Sequence, residues 1–220
     1  EEMAVQALDM ALGRGGDQAA VKSKNGFEFY GGVSRSVEKR SKVKSRIIAT
    51  ALHDLIVQSD DVIIMGHKMS DLDSVGSAVG VWRICQMCHK PACIVVDEKR
   101  TLSEKLLAQF KDADHEGCLR TPDEMENQVS PRTLVIIVDT HMARMVESET
   151  IYKRAKNVVV IDHHRKCVGH IDNAVIFYHE TSASSASELV TELIQYMPSD
   201  KETRLTAVEA QALLAGITLD

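Results

Sequence analysis

Three short groups of acidic and imidazole side chains are the residues of this sequence that could do chemistry. The groups are His67, Asp71 and Asp73, then Asp139 and His141, then Asp162, His163 and His164. Each group follows an apolar run rich in β-branched residues, at positions 62–65, 134–138 and 158–161. A single Asp or His near the end of a strand is common, but three such groups in one chain indicate a shared site.

Carboxylates and imidazoles in this mixture are ligands of divalent metal ions. The groups supply four Asp and two or three His donors, and no Cys is required. Oxygen-rich sites with some imidazole suit Mn²⁺, Mg²⁺ or Fe²⁺ better than thiolate zinc sites do. The donors exceed the needs of one ion, and two ions about 3.5–4 Å apart fit their number better. Such a pair activates a bridging water, and the natural reaction is hydrolysis of a phosphoester or phosphoanhydride.

A structural explanation competes with the metal for some of these residues. Asp71 and Asp73 precede a predicted helix, where a carboxylate can cap the helix or interact favourably with its dipole. For one Asp alone, capping would be the better explanation, but it does not account for the two distant groups. Asp139 and Asp162 end apolar strands, where an ionised carboxylate is costly unless it is paired or binds a metal.

The elements that must position these groups form a repeating pattern. From residue 61 onward, apolar runs alternate with helical patterns, which predicts an α/β fold with a mainly parallel sheet flanked by helices. In such sheets, ligands bind at the carboxyl ends of the strands. Thr101 and Glu104 predict a capping box for a helix at 101–110. Gly76 and Gly80, inside a predicted helix at 75–87, indicate close packing of that helix on the sheet.

The sequence divides into three parts. Residues 1–32 have the pattern of a helix plus a hairpin that turns at Asn25-Gly26, residues 33–58 predict a linker helix, and residues 59–220 predict the α/β domain. A helix and a hairpin of this size cannot bury a useful core alone. We therefore expect the first part to be the remnant of a larger domain.

Composition limits which partners and which cellular compartment we expect for this protein. The net charge of the 220 residues is −6, which argues against a basic surface that covers the whole protein and binds nucleic acid. We therefore expect no double-stranded nucleic acid as a partner. Five cysteines without a regular framework indicate a reducing, cytoplasmic compartment. The sequence holds no apolar run of about 18 residues, so we expect no membrane contact by this part of the protein.

The motifs resemble those of the DHH phosphoesterase superfamily. Residues 66–73, 138–141 and 161–165 match its first three motifs in order and spacing, and residues 216–220 match the fourth. The resemblance implies a two-ion Mn²⁺ site, with Mg²⁺ or Fe²⁺ as alternatives. It implies six ligands, which are His67, Asp71, Asp73, Asp139, His163 and Asp220.

The resemblance also implies a role for each residue. His67 and Asp71 would bind one ion, the remaining ligands would bind the other, and Asp139 would bridge the two. His164 would face the scissile phosphate, and Asp162 would orient a neighbouring ligand. For His141, a structural hydrogen bond and a functional role are both open.

The N-terminal part resembles the end of a degenerate GGDEF domain, at residues 11–18, 29–32 and 37–40. That combination is similar to the membrane-anchored cyclic-di-AMP phosphodiesterases of Gram-positive bacteria. It implies hydrolysis of cyclic di-AMP to the linear dinucleotide pApA in a cytoplasmic domain, and it suggests a homodimer. In that family a DHHA1 domain follows, which this chain lacks, so we expect weak binding and slow turnover. The alternatives are an oligoribonuclease, a pyrophosphatase or a non-catalytic nucleotide sensor.

Overall fold

A computed structural model describes residues 7, 18–23, 26–31, 42–113, 117–198 and 204–219. The chain forms two compact units, Glu1–Ser41 and Lys42–Asp220. In the first unit, strands β1 (Gln18–Ser23) and β2 (Gly26–Gly31) pair antiparallel, with Ser23 opposite Gly26. The hairpin predicted around residues 25 and 26 is therefore present. The predicted helix near residues 3–12, and the linker residues 33–41, lie outside the described residues apart from residue 7.

The second unit begins with a long helix and then alternates strands with helices. Its helices are α1 (Lys42–Gln58), α2 (Leu72–Met87), α3 (Glu104–Asp112), α4 (Pro122–Met125), α5 (Glu149–Arg154), α6 (Ala186–Ile194) and α7 (Ala207–Leu219). Its strands are β3 (Asp61–Met65), β4 (Ala92–Val95), β5 (Leu119–Arg120), β6 (Thr133–Val138), β7 (Asn157–Asp162) and β8 (Ile176–His179).

The six strands of the second unit form one parallel sheet in the order β5-β4-β3-β6-β7-β8. This confirms the predicted α/β fold with helices on both faces. Strand β6 is buried along its whole length, as expected for a central parallel strand covered on both sides. The order also makes β3, β6 and β7 neighbours, although β4 and β5 separate β3 from β6 in the sequence.

Alternate residues of the central strands supply two separate cores. Ile64 and Ile136 face a core that includes side chains of α1, α2, α3, α6 and α7. Ile63 and Ile137 face the opposite core, which Ile151 of α5 helps to close. This period of two fixes the register of the strands, because a slip by one residue would exchange the two faces. The polar residues that follow each strand therefore emerge at defined positions.

The two glycines of α2 serve a different contact from the predicted one. A Cβ atom added at Gly76 would come within 3.0 Å of the backbone carbonyl oxygen of Ala212 in α7. A Cβ at Gly80 would lie 2.7 Å from side-chain atoms of Leu213 and Val190, in α7 and α6. The predicted packing of these glycines on the sheet is wrong, because they allow close approach of helices instead.

The capping box predicted at Thr101 is also wrong. Ser103 occupies the N-cap position of α3, and the Thr101 hydroxyl instead donates to the backbone oxygen of Ser70 at 2.9 Å. A capping box does form at the start of α4, between Thr121 and Glu124. Tertiary contact with the loop after β3 thus outweighs the local pattern at Thr101.

Within the described residues, none of the helices has the length and apolar character that crossing a membrane requires.

Candidate metal centre

All three groups of polar residues lie at the carboxyl edge of the sheet. His67, Asp71 and Asp73 lie in the segment that leads from β3 into α2, and Asp139 follows β6 directly. The third group begins with Asp162, the last residue of β7. Because β6 lies between β3 and β7, Asp139 occupies the middle of the site.

Asp139 is the residue that joins the two halves of the site. Its side chain is only 2% exposed. One carboxylate oxygen, Oδ2, lies 3.4 Å from His67 Nε2, and the other, Oδ1, lies 3.5 Å from His163 Nε2. Oδ1 is buried and accepts no hydrogen bond from any described residue. A buried carboxylate oxygen in this state is costly, so its surroundings suit a cation that bridges both halves.

The first half of the site combines His67, Asp71 and Asp139. The ring of His67 donates from Nδ1 to the Lys68 carbonyl oxygen at 2.8 Å, which directs Nε2 toward both carboxylates. Asp71 caps α2, since its Oδ1 accepts the backbone N–H groups of Asp73 and Ser74. Its Oδ2 remains 3.5 Å from His67 Nε2, so capping and metal binding are compatible for Asp71.

Charge is concentrated in this half. Burial lowers the pKa of His67, but the hydrogen bonds with Asp139 and Asp71 outweigh burial and raise the pKa to about 10. Burial likewise opposes ionisation of Asp71, but the contacts with His67 and the backbone N–H groups lower its pKa to about 2. The carboxylates thus attract positive charge to the position between them.

The second half of the site contains Asp73 and His163. Asp73 accepts the backbone N–H groups of Ala186 at 2.7 Å and Ser187 at 2.8 Å, at the start of α6. Its Oδ2 lies 3.7 Å from His163 Nε2. Burial, followed by repulsion between the carboxylates of Asp139 and Asp73, raises the pKa of Asp73 to about 7. A cation between them would relieve that repulsion.

Asp220, the remaining residue that the resemblance assigns to the metal, lies outside the described residues. Helix α7 leads toward it, and a Cβ atom added at Gly216 would be 3.0 Å from Asp73 Cα. The last turns of α7 therefore approach the second half of the site closely.

Asp162 is completely buried and orients its neighbours. Its Oδ1 accepts from His164 Nδ1 at 2.9 Å, and its Oδ2 accepts from His141 Nδ1. His141 Nε2 in turn accepts the Cys167 N–H at 3.1 Å. Burial would raise the pKa of Asp162, but the hydrogen bonds from His164 and His141 lower it. His141 thus holds the loop after β7, which supports the structural alternative for this residue.

The adjacent residues His163 and His164 differ in exposure. The His163 side chain is 12% exposed, whereas that of His164 is 53% exposed and lines an open cleft of about 580 Å³. The cleft is further lined by His67, Asp71, Asp139, Thr140, His141, Met142, Met145, Arg165 and Cys167. A substrate in this cleft would contact His164 and the first half of the site together.

Backbone groups at the start of α6 contact the candidate site, and the sequence patterns did not identify them. The serines at 182, 184, 185 and 187 form a run that is typical of a helix cap or of a phosphate contact at a helix start. Ser185 caps α6 by accepting the Glu188 N–H at 3.0 Å, and Ser187 directs its N–H to Asp73. The serine run was a signal for a helix start, but only the fold shows that this start faces Asp73.

Comparison with known proteins gives three findings. A family model described as the DHH family, N-terminal domain, matches residues 61–217. The chain is 44% identical to the cyclic-di-AMP phosphodiesterase GdpP of Geobacillus thermodenitrificans (strain NG80-2), over 99% of this chain and 33% of that protein. It is 41% identical to the cyclic-di-AMP phosphodiesterase GdpP of Bacillus subtilis (strain 168), over 100% of this chain and 34% of that protein.

The fold also has solved counterparts. An exopolyphosphatase-related protein from Bacteroides fragilis aligns with a TM-score of 0.54 and 18% identity, over 79% of this chain and 49% of that one. This likeness concerns the fold alone. The chain spans about a third of the length of the curated relatives that it matches.

Proposed function

We propose, from the premise that this chain belongs to the DHH family, that it carries the metal-dependent hydrolytic domain of a cyclic-di-AMP phosphodiesterase. The observation that carries the proposal is the buried carboxylate of Asp139, which faces His67 with one oxygen and His163 with the other. The proposed substrate rests on the names of the relatives, and the proposed metal-dependent hydrolysis rests on the residues of the site.

The proposed ligands divide between two ions. His67 and Asp71 would hold one, Asp73, His163 and Asp220 would hold the other, and Asp139 would belong to both. The donors are carboxylates and imidazoles, which supports Mn²⁺, with Mg²⁺ and Fe²⁺ as alternatives. When bound, the ions would lower the pKa of a water and neutralise charge on a phosphoryl oxygen.

The protein's own residues supply orientation and a proton. The hydrogen bond to Asp162 raises the pKa of His164, so a larger fraction of His164 carries a proton at neutral pH. With Nδ1 held by Asp162, the Nε2–H of that protonated ring is the group available to the cleft. His164 would donate this proton to the oxygen that leaves phosphorus, or stabilise the charge that develops there. Asp162 acts as the residue that fixes the direction of the ring.

The proposal also covers the segments that precede this domain and the parent protein to which it belongs. Residues 1–32 would be the end of a degenerate GGDEF domain, residues 33–58 a linker, and the parent protein a membrane-anchored dimer with this domain in the cytoplasm. The match to the two relatives, which runs through the N-terminal residues as well, supports a shared arrangement.

A substrate panel tests the proposed function. The chain would be incubated with MnCl₂ and, separately, cyclic di-AMP, a short oligoribonucleotide and pyrophosphate, and the products would be resolved by chromatography. We expect conversion of cyclic di-AMP to pApA at a low rate, faster than attack on the other two, and no conversion in EDTA. Faster cleavage of pyrophosphate or of the oligoribonucleotide would contradict the proposal. Binding of cyclic di-AMP without any hydrolysis would favour a sensor instead.

A further inference from the structure

We infer that Ser45 and Lys44, in the first turn of α1, are positioning residues for His164 and act through the end of β8. The inference rests on the proposed function only for the role of His164 in hydrolysis. Neither residue is among the proposed metal ligands, and neither was singled out by the motifs.

Two side chains of helix α1 contact the end of β8 and the residue that follows it. The hydroxyls of Ser45 and Tyr178 are 3.2 Å apart, and both residues are almost completely buried. Lys44 donates to the carboxylate of Glu180, and its Nζ lies 5.8 Å from the centre of the Tyr178 ring. A buried hydroxyl pair is a specific contact, because water does not compete for its hydrogen bond.

Residues 179 and 180 also contact the segment that holds Asp162 and His164. Glu180 N–H donates to the backbone oxygen of Asp162 at 3.1 Å. The ring of His179 donates from Nε2 to the backbone oxygen of His164. Residues 178–180 therefore contact α1 with two side chains, and they contact the Asp162–His164 segment with one backbone group and one ring.

Because β8 is at the edge of the sheet, its contacts with α1 affect its position. Strand β8 lies at the edge and pairs only with β7 in the described sheet. An edge strand lacks restraint on one side, so its position depends more on whatever packs against it. Here the hydrogen bonds from α1 provide that restraint.

Single hydroxyl deletions on the complete 220-residue chain test the inference. The variants are Ser45→Ala and Tyr178→Phe, with Lys44→Met as an additional variant on the more exposed pair. The matched controls are Ser59→Ala, which removes a buried hydroxyl at the other end of α1, and Tyr152→Phe, whose hydroxyl contacts Asn173 instead. Two readouts are compared, namely the imidazole ¹H–¹⁵N spectrum of the metal-free chain and the Mn²⁺-dependent hydrolysis of bis(p-nitrophenyl) phosphate.

We expect the His164 imidazole signals to shift in the Ser45, Tyr178 and Lys44 variants but not in the controls. We expect kcat to fall about fivefold, with KM and the Mn²⁺ affinity unchanged, because a displaced catalytic ring slows the chemical step. The double variant should match Tyr178→Phe alone, since both substitutions remove the same hydrogen bond. Loss of thermal stability without a change in the His164 signals or kcat would overturn the inference. The proposed function is tested separately with cyclic di-AMP, and if it fails, the His164 spectra still decide this inference.

Discussion

Replacing Asp139 by Asn is expected to abolish metal-dependent hydrolysis. Asn keeps the size of the side chain but removes the charge that faces both His67 and His163. Loss of an outer-shell partner costs about 10–100-fold in metal affinity or activity. The loss of a residue shared by both halves should exceed the upper end of that range. The measurement is the rate of cyclic di-AMP hydrolysis at saturating MnCl₂.

The same substitution should not destabilise the metal-free protein. Asp139 has a backbone φ of 56°, which Asn tolerates well. The substitution removes the attraction between Asp139 and His67, but it also removes the repulsion between Asp139 and Asp73, which offsets that loss. We therefore expect the variant to melt no lower than the unaltered chain without metal. Added MnCl₂ should raise the Tm of the unaltered chain but not that of the variant. Asp172→Asn, at an exposed position, is the control. Retained hydrolysis, or retained stabilisation by Mn²⁺, would contradict the shared-ligand role.

Replacing Gly76 by Ala is expected to lower the stability of the fold severely. The new methyl group would collide with the Ala212 carbonyl oxygen, which belongs to backbone and cannot rotate away. Overpacking of this kind costs about 1–3 kcal/mol, and the better helix propensity of Ala offsets about 1 kcal/mol. Because backbone cannot give way, we expect the upper end of that cost, about 3 kcal/mol. The net loss is then about 2 kcal/mol, which lowers the Tm by roughly 4–8 °C in a domain of this size.

Gly80→Ala is the matched control for this second substitution. Its new methyl would meet the tips of the Leu213 and Val190 side chains, which can move. We expect urea denaturation to show a clearly smaller loss for Gly80→Ala than for Gly76→Ala. Equal losses, or a Gly76 variant as stable as the unaltered chain, would show that α2 and α7 are not held at this distance.

The sequence predicted the fold well because the strands of the sheet carry a strong local signal. The apolar runs before His67, Asp139 and Asp162 were long enough to identify β3, β6 and β7. The sequence could not show that β6 lies between the other two, since strand order depends on how the intervening helices pack. That order is what places Asp139 between the two histidines.

The errors share a cause, which is that local patterns do not identify tertiary partners. Thr101 and Thr121 begin the same Thr-x-x-Glu pattern, yet only Thr121 caps a helix, because Thr101 bonds to Ser70. Gly76 indicated close packing, but nothing local distinguished a sheet from a helix as its neighbour. The contacts of Asp73 with the start of α6 and of Ser45 with Tyr178 join residues more than a hundred positions apart.

The proposal that Asp139 bridges a pair of cations is tested most directly by anomalous scattering at the manganese edge from crystals of this chain soaked in MnCl₂. We expect two anomalous peaks about 3.5–4 Å apart, with Asp139 coordinating both, His67 Nε2 on one and His163 Nε2 on the other. A single peak, or manganese that Asp139 does not contact, would contradict the account.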